Sequence, residues 1–175
     1  DTYLIDSTSV SIVEASTGGV DLVRANIDFT LGAHLENLEL VGAANQGIGN
    51  AAANIITGSA VANFLDGKAG ADTLIGAEGD DILVHDASDI LLSGGAGNDT
   101  LLLAAPTALL DLTTASNLQG IERVDVADSG ATVRLSAAAV TALSDSDLLV
   151  IDGAAGAAVT TSDAWNYVGD FGDYA

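Results

Sequence analysis

The chain has 175 residues, room for one domain or one segment of something larger, and its 25 acidic against 4 basic side chains give a formal charge of −21. With no basic face to neutralise phosphates, nucleic-acid binding is excluded, and so is attraction to an anionic membrane surface. Yet 49% of residues are hydrophobic and the mean hydropathy is +0.41, too apolar for a disordered acidic tail.

The chain is therefore expected to fold, with divalent cations as the first candidates to offset its self-repulsion. Small aliphatics dominate and aromatics are only 4%, which suits a stack of thin layers. There is no Cys, so disulfides and thiolate metal sites are out. There is no Met, so Asp1 is expected not to be a translation start and the chain to be a processed product or a fragment. The longest apolar run, Leu101 to Leu110, contains Pro106 and is too short to span a bilayer, and no N-terminal signal peptide is visible.

From the N-terminus, TYLIDSTSVSIVEA, VDLVRANIDFTL and LENLELVG read as short strands separated by Gly and Ser turns, and residues 1–48 are expected to form a β-helical flank. Residues 49–102 then divide into six nonapeptides: GNAAANIIT, GSAVANFLD, GKAGADTLI, GAEGDDILV, HDASDILLS and GGAGNDTLL. Position 1 is Gly in five of the six, and position 8 is always aliphatic (Ile56, Leu65, Leu74, Leu83, Leu92, Leu101). Position 6 is Asn54, Asn63, Asp72, Asp81, Ile90 and Asp99. Gly at positions 1 and 4 is expected to permit positive φ and close approach of the backbone to an ion. Position 6 supplies a hard oxygen, and positions 7 to 9 form a short strand with position 8 inward. Two nonapeptides then make one turn of a flattened helix, and turns stack about 4.8 Å apart through parallel ladders. Loops 18 residues apart in sequence meet along each edge, so Asp81 lies one layer from Asp99. Two carboxylates that close repel unless a cation lies between them. Ca²⁺ takes six to eight oxygens at about 2.3–2.6 Å and suits such loops better than Mg²⁺.

Beyond the repeats, residues 103–175 are expected to form a β-rich flank continuing the same stack, with TLLL, ALLDL, IERVDVAD, ATVRLS, LLVIDG and AAVTT as strands. Leu35–Leu40 echoes Ile121–Val126, which predicts the same coil shape on both sides of the repeats. Ser136 predicts the cap of one short helix over AAAVTALS, with Val140 and Leu143 on one side, placed to cover the end of the stack. Trp165, Tyr167, Phe171 and Tyr174 cluster in the tail, which reads as an end-cap or a contact with sequence beyond it.

The nonapeptides resemble those of RTX (repeats-in-toxin, haemolysin-type) calcium-binding proteins, whose signature is GGxGxDxUx. GGAGNDTLL matches in full, while GKAGADTLI and GAEGDDILV miss only the second Gly. The resemblance implies an all-β, right-handed parallel β-roll with Ca²⁺ held between stacked loops. Carried over residue by residue, it places one ion among Ala77, Gly79 and Asp81 of one loop and Gly94, Ala96 and Asp99 of the next. A second site on the other edge would centre on Asp72, with Gly67 and Ala69, and a weaker third would set Asn63 against Asp81 with Gly76 and Glu78. HDASDI departs from the pattern, with Asp89 at position 5 and Ile90 at position 6, so a regular ion is not expected between Asp72 and the His85 loop.

His34 and His85 read as surface or turn residues. Asp145 and Asp147 begin a DxD pattern, but Leu149 stands where an EF-hand needs an oxygen. No nucleophile elbow, HExxH or P-loop occurs, so a non-catalytic role is expected. The resemblance implies a secreted or cell-surface location, type I secretion and folding on extracellular Ca²⁺. The reading favoured is a structural or adhesive module of a large RTX surface protein: an adhesin, a surface-layer subunit or a filament. The alternative is the calcium-loaded secretion segment of an exported hydrolase or toxin. Expected partners are calcium ions and, through head-to-tail contact, further copies or neighbouring modules.

Overall fold

The computed structural model describes residues 1–103, 110–113, 116–126, 132–144, 149–153 and 158–161. Asp145, Asp147 and the aromatic cluster Trp165, Tyr167, Phe171 and Tyr174 lie outside the described residues. Ahead of the repeats come β1 (Thr2–Ile5), β2 (Leu22–Ala25), β3 (Phe29–Thr30), β4 (Asn37–Leu40) and β5 (Gln46–Ile48). The repeats form β6 (Ile55–Thr57), β7 (Phe64–Asp66), β8 (Thr73–Glu78), β9 (Ile82–Val84), β10 (Leu91–Ala96) and β11 (Thr100–Leu103). After them lie β12 (Leu110–Asp111), β13 (Leu118–Gln119), β14 (Arg123–Val126), β15 (Thr132–Leu135), helix α1 (Ala137–Leu143), β16 (Val150–Gly153) and β17 (Ala158–Thr161).

Every pairing is parallel, and the strands sort into two seven-stranded sheets, β1-β2-β4-β6-β8-β10-β13 and β3-β5-β7-β9-β11-β14-β16. From β4 to β11 the chain alternates between the two, so this is the all-β parallel roll that the repeats predict. The ladder partners there are 18 residues apart: Ile55 faces Thr73, and Thr73 faces Leu91. Parallel strands need a crossover between them, and here each crossover is a strand of the other sheet with a short loop on either side.

Alternation along each short strand fixes what the roll encloses. In β8 the side chains read half-buried, buried, half-buried, and Leu74 at position 8 is fully inaccessible. The same holds for Ile56, Leu65, Leu83, Leu92 and Leu101, so two columns of aliphatic side chains meet between the sheets. The columns continue into the flanks through Val23 and Leu38 on one side and Leu118 and Val124 on the other. Gly47 takes the inward position of β5, where a Cβ would already sit 3.1 Å from Ile56 and 3.2 Å from Leu65.

Past β11 the coils are longer than those of the repeats. Between β11 and β14 the coil lengthens to 23 residues and between β14 and β16 to 27, and β12, β15 and β17 pair as a third, three-stranded sheet. The echo between Leu35–Leu40 and Ile121–Val126 is real in burial, since Leu35, Leu38 and Leu40 are buried as Ile121, Val124 and Val126 are. The two copies lie on opposite sheets, however. Helix α1 begins as expected, with Ser136 Oγ accepting the Ala139 N–H at 3.1 Å and Val140 and Leu143 buried. It stands beside β13, the last strand of the first sheet, and the Leu143 carbonyl accepts the Ile121 N–H at 2.7 Å. The other two sheets run one strand further. No helix among the described residues is long and apolar enough to cross a membrane.

Because Leu83 is surrounded by its own column and the one opposite, truncation leaves a cavity that thin layers cannot close. Leu83→Ala is expected to lower stability by about 2–5 kcal/mol. Urea unfolding at saturating calcium measures it; Ile82→Ala on the exposed outer face serves as a control and should cost well under half as much.

Candidate metal centre

The position-6 residues stand immediately before the strands, so the ladders bring them into two columns, one along each edge of the roll. On one edge Asn54 lies over Asp72; on the other, Asn63, Asp81 and Asp99 follow in successive coils. All five are buried to 3% exposure or less. Each is tied to the next by its backbone: Asn54 N–H donates to Asp72 Oδ1 at 2.7 Å, Asn63 N–H to Asp81 Oδ1 at 2.8 Å, and Asp81 N–H to Asp99 Oδ1 at 2.8 Å. The column outlasts the repeats, because Asp99 N–H donates to Glu122 Oε2 at 2.9 Å.

Glycine has two different jobs in these loops. At position 1 it provides room, not an unusual φ as the sequence suggests. A Cβ on Gly76 would lie 2.2 Å from Asp81 Oδ2 and 2.3 Å from the Gly94 carbonyl oxygen, so a carboxylate and a carbonyl of adjacent loops converge on the space it leaves. Gly67 leaves the same space for Asp72 Oδ2, and Gly58 for Asn63 Oδ1 and the Gly76 carbonyl. Positive φ occurs instead at positions 2 and 4: Lys68 (69°) with Gly70 (148°), Ala77 (85°) with Gly79 (111°), and Gly95 (108°) with Gly97 (153°). These are the three loops with Gly at position 4. The units with Ala52, Val61 and Ser88 there do not share it.

Two of these glycine-turned loops, 76–81 and 94–99, are neighbours on one edge. There the structure brings together the Ala77 carbonyl, which would touch a Cβ on Gly95, the Gly79 carbonyl, which would touch one on Gly97, and Asp81, Gly94 and Asp99. The Ala96 carbonyl accepts the Gly79 N–H at 2.9 Å, and Glu78 faces Ala96 in the ladder with its side chain exposed. Asn63 is used internally, its Oδ1 accepting the Ser59 N–H at 2.6 Å and its Nδ2 donating to the Ala44 carbonyl at 2.8 Å. On the other edge Gly67 and Asp72 come together while Ala69 sits at the exposed turn.

The His85 loop repairs its own departure from the pattern. Ile90 is 62% exposed, while Asp89, one residue earlier, turns inward to 8%. Its Oδ2 accepts the Asp86 N–H at 2.8 Å. The sequence hides this, because a one-residue shift moves the carboxylate out of its column while the loop can still swing it back. His34 is exposed at φ 66°, as a turn residue, but His85 is half-buried, and burial pushes its imidazole pKa down.

The electrostatics are one-sided. Arg24, Lys68, Arg123 and Arg134, all the Lys and Arg of the chain, pair with Glu39, Asp66, Asp152 and Asp111 on exposed faces. None reaches the edge columns. Asp72 Oδ2, Asp81 Oδ2 and Asp89 Oδ1 are buried without a hydrogen-bond donor. Burial pushes the Asp81 carboxyl up to about 7, with Asp99 adding repulsion, and pushes Asp89 up to about 6, with Asp72 and Asp86 adding theirs. Burial likewise raises Asp72. Orphaned carboxylate oxygens, converging carbonyls and an all-oxygen donor set fit a hard divalent cation, calcium above all.

Two expectations follow for the chain in EDTA. A carboxyl raised from about 4 to about 7 holds its proton more tightly when folded, so stability falls as pH rises through that window. Thermal midpoints should therefore be higher at pH 5 than at pH 7.5 in EDTA, and calcium should raise them most at pH 7.5. Asp81→Asn keeps an acceptor for the Asn63 N–H but removes the buried charge. It is expected to raise the midpoint in EDTA and to shrink the calcium-induced rise, opposite signs that simple damage would not produce. Gly79→Ala should destabilise in both conditions, since its Cβ would lie 2.7 Å from the Val61 backbone at a φ of 111°.

Comparison with known families returns the RTX calcium-binding nonapeptide repeat, in four copies, at residues 48–83 and 91–104. The match covers less than a third of the chain and omits 84–90, the stretch that holds the irregular loop. Neither curated proteins nor solved structures gave a match. Repeats of this kind bind calcium ions and are typical of secreted proteins. The chain thus carries RTX calcium-binding nonapeptide repeats, wound as a parallel β-roll.

Proposed function

We propose that the chain is a non-catalytic structural or adhesive module of a secreted bacterial RTX surface protein, such as an adhesin, a surface-layer protein or an extracellular filament, and that it folds when it meets extracellular calcium. The observation that carries this reading is the pairing of buried, donor-less carboxylates with a chain whose every Lys and Arg is committed elsewhere. Where calcium is scarce, the ionised edge columns repel and oppose stacking of the coils, so the chain stays open enough to be exported. Calcium supplies the positive charge the loops lack, and its binding free energy then counts as folding free energy. Each coil touches only its neighbours, so order spreads from the loops 76–81 and 94–99 into residues 1–48 and 103–175. The ions are assigned to Ala77, Gly79, Asp81, Gly94 and Asp99 first, and to Gly67 and Asp72 second. Among the described residues β1 is the outermost strand of its sheet and Leu4 is 74% exposed, which favours contact with a further copy or a neighbouring module.

Far-UV circular dichroism and size-exclusion elution during a calcium titration from EDTA, with magnesium as control, test this. A calcium-specific gain of β-structure is expected, and growth to high mass in the same titration favours a filament or surface layer. A thermal midpoint at pH 7.5 that is the same in EDTA as in saturating calcium would overturn ion-gated folding. Asp99→Ala is expected to raise the calcium midpoint more than Asn63→Ala, whose loss is a loss of hydrogen bonds at any calcium level; equal midpoints would sink the site assignment.

A further inference from the structure

Outside the repeats, at the N-terminal end of the stack, three acidic side chains converge. A carboxylate oxygen from each of Asp1, Glu14 and Asp21 lies within 4.8 Å of the others. Asp1 and Asp21 hold equivalent places in adjacent coils, since each immediately precedes a strand and Thr2 faces Leu22 in the ladder. They stand in the same relation to their strands as Asn54 and Asp72 do to β6 and β8, although no nonapeptide reaches this far. Glu14 enters from the side, on the segment between β1 and β2 that runs past without adding a strand to the second sheet.

Asp21 is the informative member. It is fully buried, and its Oδ2 has no hydrogen-bond donor. Its Oδ1 touches the Asp1 amino group at 2.6 Å, and its own N–H donates to Glu36 Oε2 at 2.9 Å. The nearest arginine in sequence, Arg24, places Nε and Nη2 on Glu39 at 2.8 and 2.7 Å. Glu14 is held in place: Ala15 N–H donates to Oε1 at 2.9 Å and the Tyr3 hydroxyl donates to Oε2. Gly18 gives it room, because any Cβ there would collide with Oε1. The hydrogen bond to Glu14 pushes the Tyr3 phenol up to about 12.

Burying one carboxylate oxygen without a donor, and fixing two more carboxylates beside it, is costly unless a cation is shared. We propose that Asp1, Glu14 and Asp21 form an additional divalent-cation site, separate from the nonapeptide loops, that takes calcium in preference to magnesium. Three carboxylates can supply up to six oxygens, and the exposed side of the cluster leaves space for water, which suits the larger and more adaptable ion. Such a site ties the first coil, the second coil and the crossing segment together.

The site contains its own reporter. Tyr3 is bonded to a ligand residue, so Tb³⁺ bound there, used as a calcium surrogate, is sensitised by tyrosine excitation. The whole chain is titrated with Tb³⁺, and calcium stoichiometry is measured by equilibrium dialysis. Tyr3→Phe is expected to remove most of the sensitised emission while leaving the calcium count unchanged. Asp1→Asn with Glu14→Gln is expected to remove the emission and lower the count by one ion. Glu14→Gln alone keeps the acceptor for the Ala15 N–H and serves as the variant least able to disturb the fold; it should weaken Tb³⁺ binding about tenfold or more, since affinity follows ligand charge. Unchanged emission and an unchanged calcium count in Glu14→Gln and in the double variant would overturn the proposal. Asp81→Asn separates this site from the repeats: it should reduce the calcium count and leave the Tyr3-sensitised signal in place. If the repeat assignment fails, only the Asp81→Asn result changes.

Discussion

A buried carboxylate with no cation of its own is the constraint on which the rest of this structure turns. The parallel ladder puts every residue before a strand directly above its counterpart in the next coil, so an Asp at that place becomes a column of Asp. Stacking closes the column to water, and the four basic side chains are spent on exposed partners. Such exposed pairs contribute little to stability and cannot neutralise the edges. What remains is a fold whose apolar columns favour stacking and whose acidic columns oppose it. The balance is therefore set by protons or divalent ions, and both act on the same oxygens.

The backbone bears this out at close range. Each position-6 carboxylate uses one oxygen to accept an N–H from the preceding coil, which locks the side chain into the wall. That bond lowers the cost of burial without removing it, as the upward shift of Asp81 to about 7 shows. Gly76 clears the space in which the second oxygen and the Gly94 carbonyl converge, and the left-handed turns at positions 2 and 4 aim further carbonyls across the layer. Ala77 and Lys68 accept a φ that costs a side chain about 1–2 kcal/mol. The loop geometry is thus held against local preference by the coils on either side.

The two sides of the repeats differ in their outer coils. At the C-terminal side the coils widen, a third sheet appears, and α1 takes the place beside β13 where the first sheet ends. The Ile121 N–H, two residues past β13, donates to the Leu143 carbonyl and ties the end of α1 to the chain there. At the N-terminal side β1 is the outermost strand of the first sheet among the described residues, and the carboxylates of Asp1, Glu14 and Asp21 lie together across the first two coils.

Much of this was legible in the residues because the period carries it. Six nonapeptides with an aliphatic at position 8, five of them with an oxygen at position 6, determine an 18-residue coil, two facing sheets, the inward columns from Ile56 to Leu101, and the juxtaposition of Asp81 with Asp99. A repeat that contacts only its neighbours leaves little for long-range packing to decide. Where the period fails, the tertiary structure decided. Asp89 regains the wall that Ile90 vacates because the loop can rotate by one residue. Glycine at position 1 proves to be about space because only the next coil shows what would fill it. The third sheet depends on coil lengths that no motif encodes. Asp1, Glu14 and Asp21 share no spacing with the repeats, and only the winding of the first two coils, with Glu14 brought in across them, makes three scattered acids into one site.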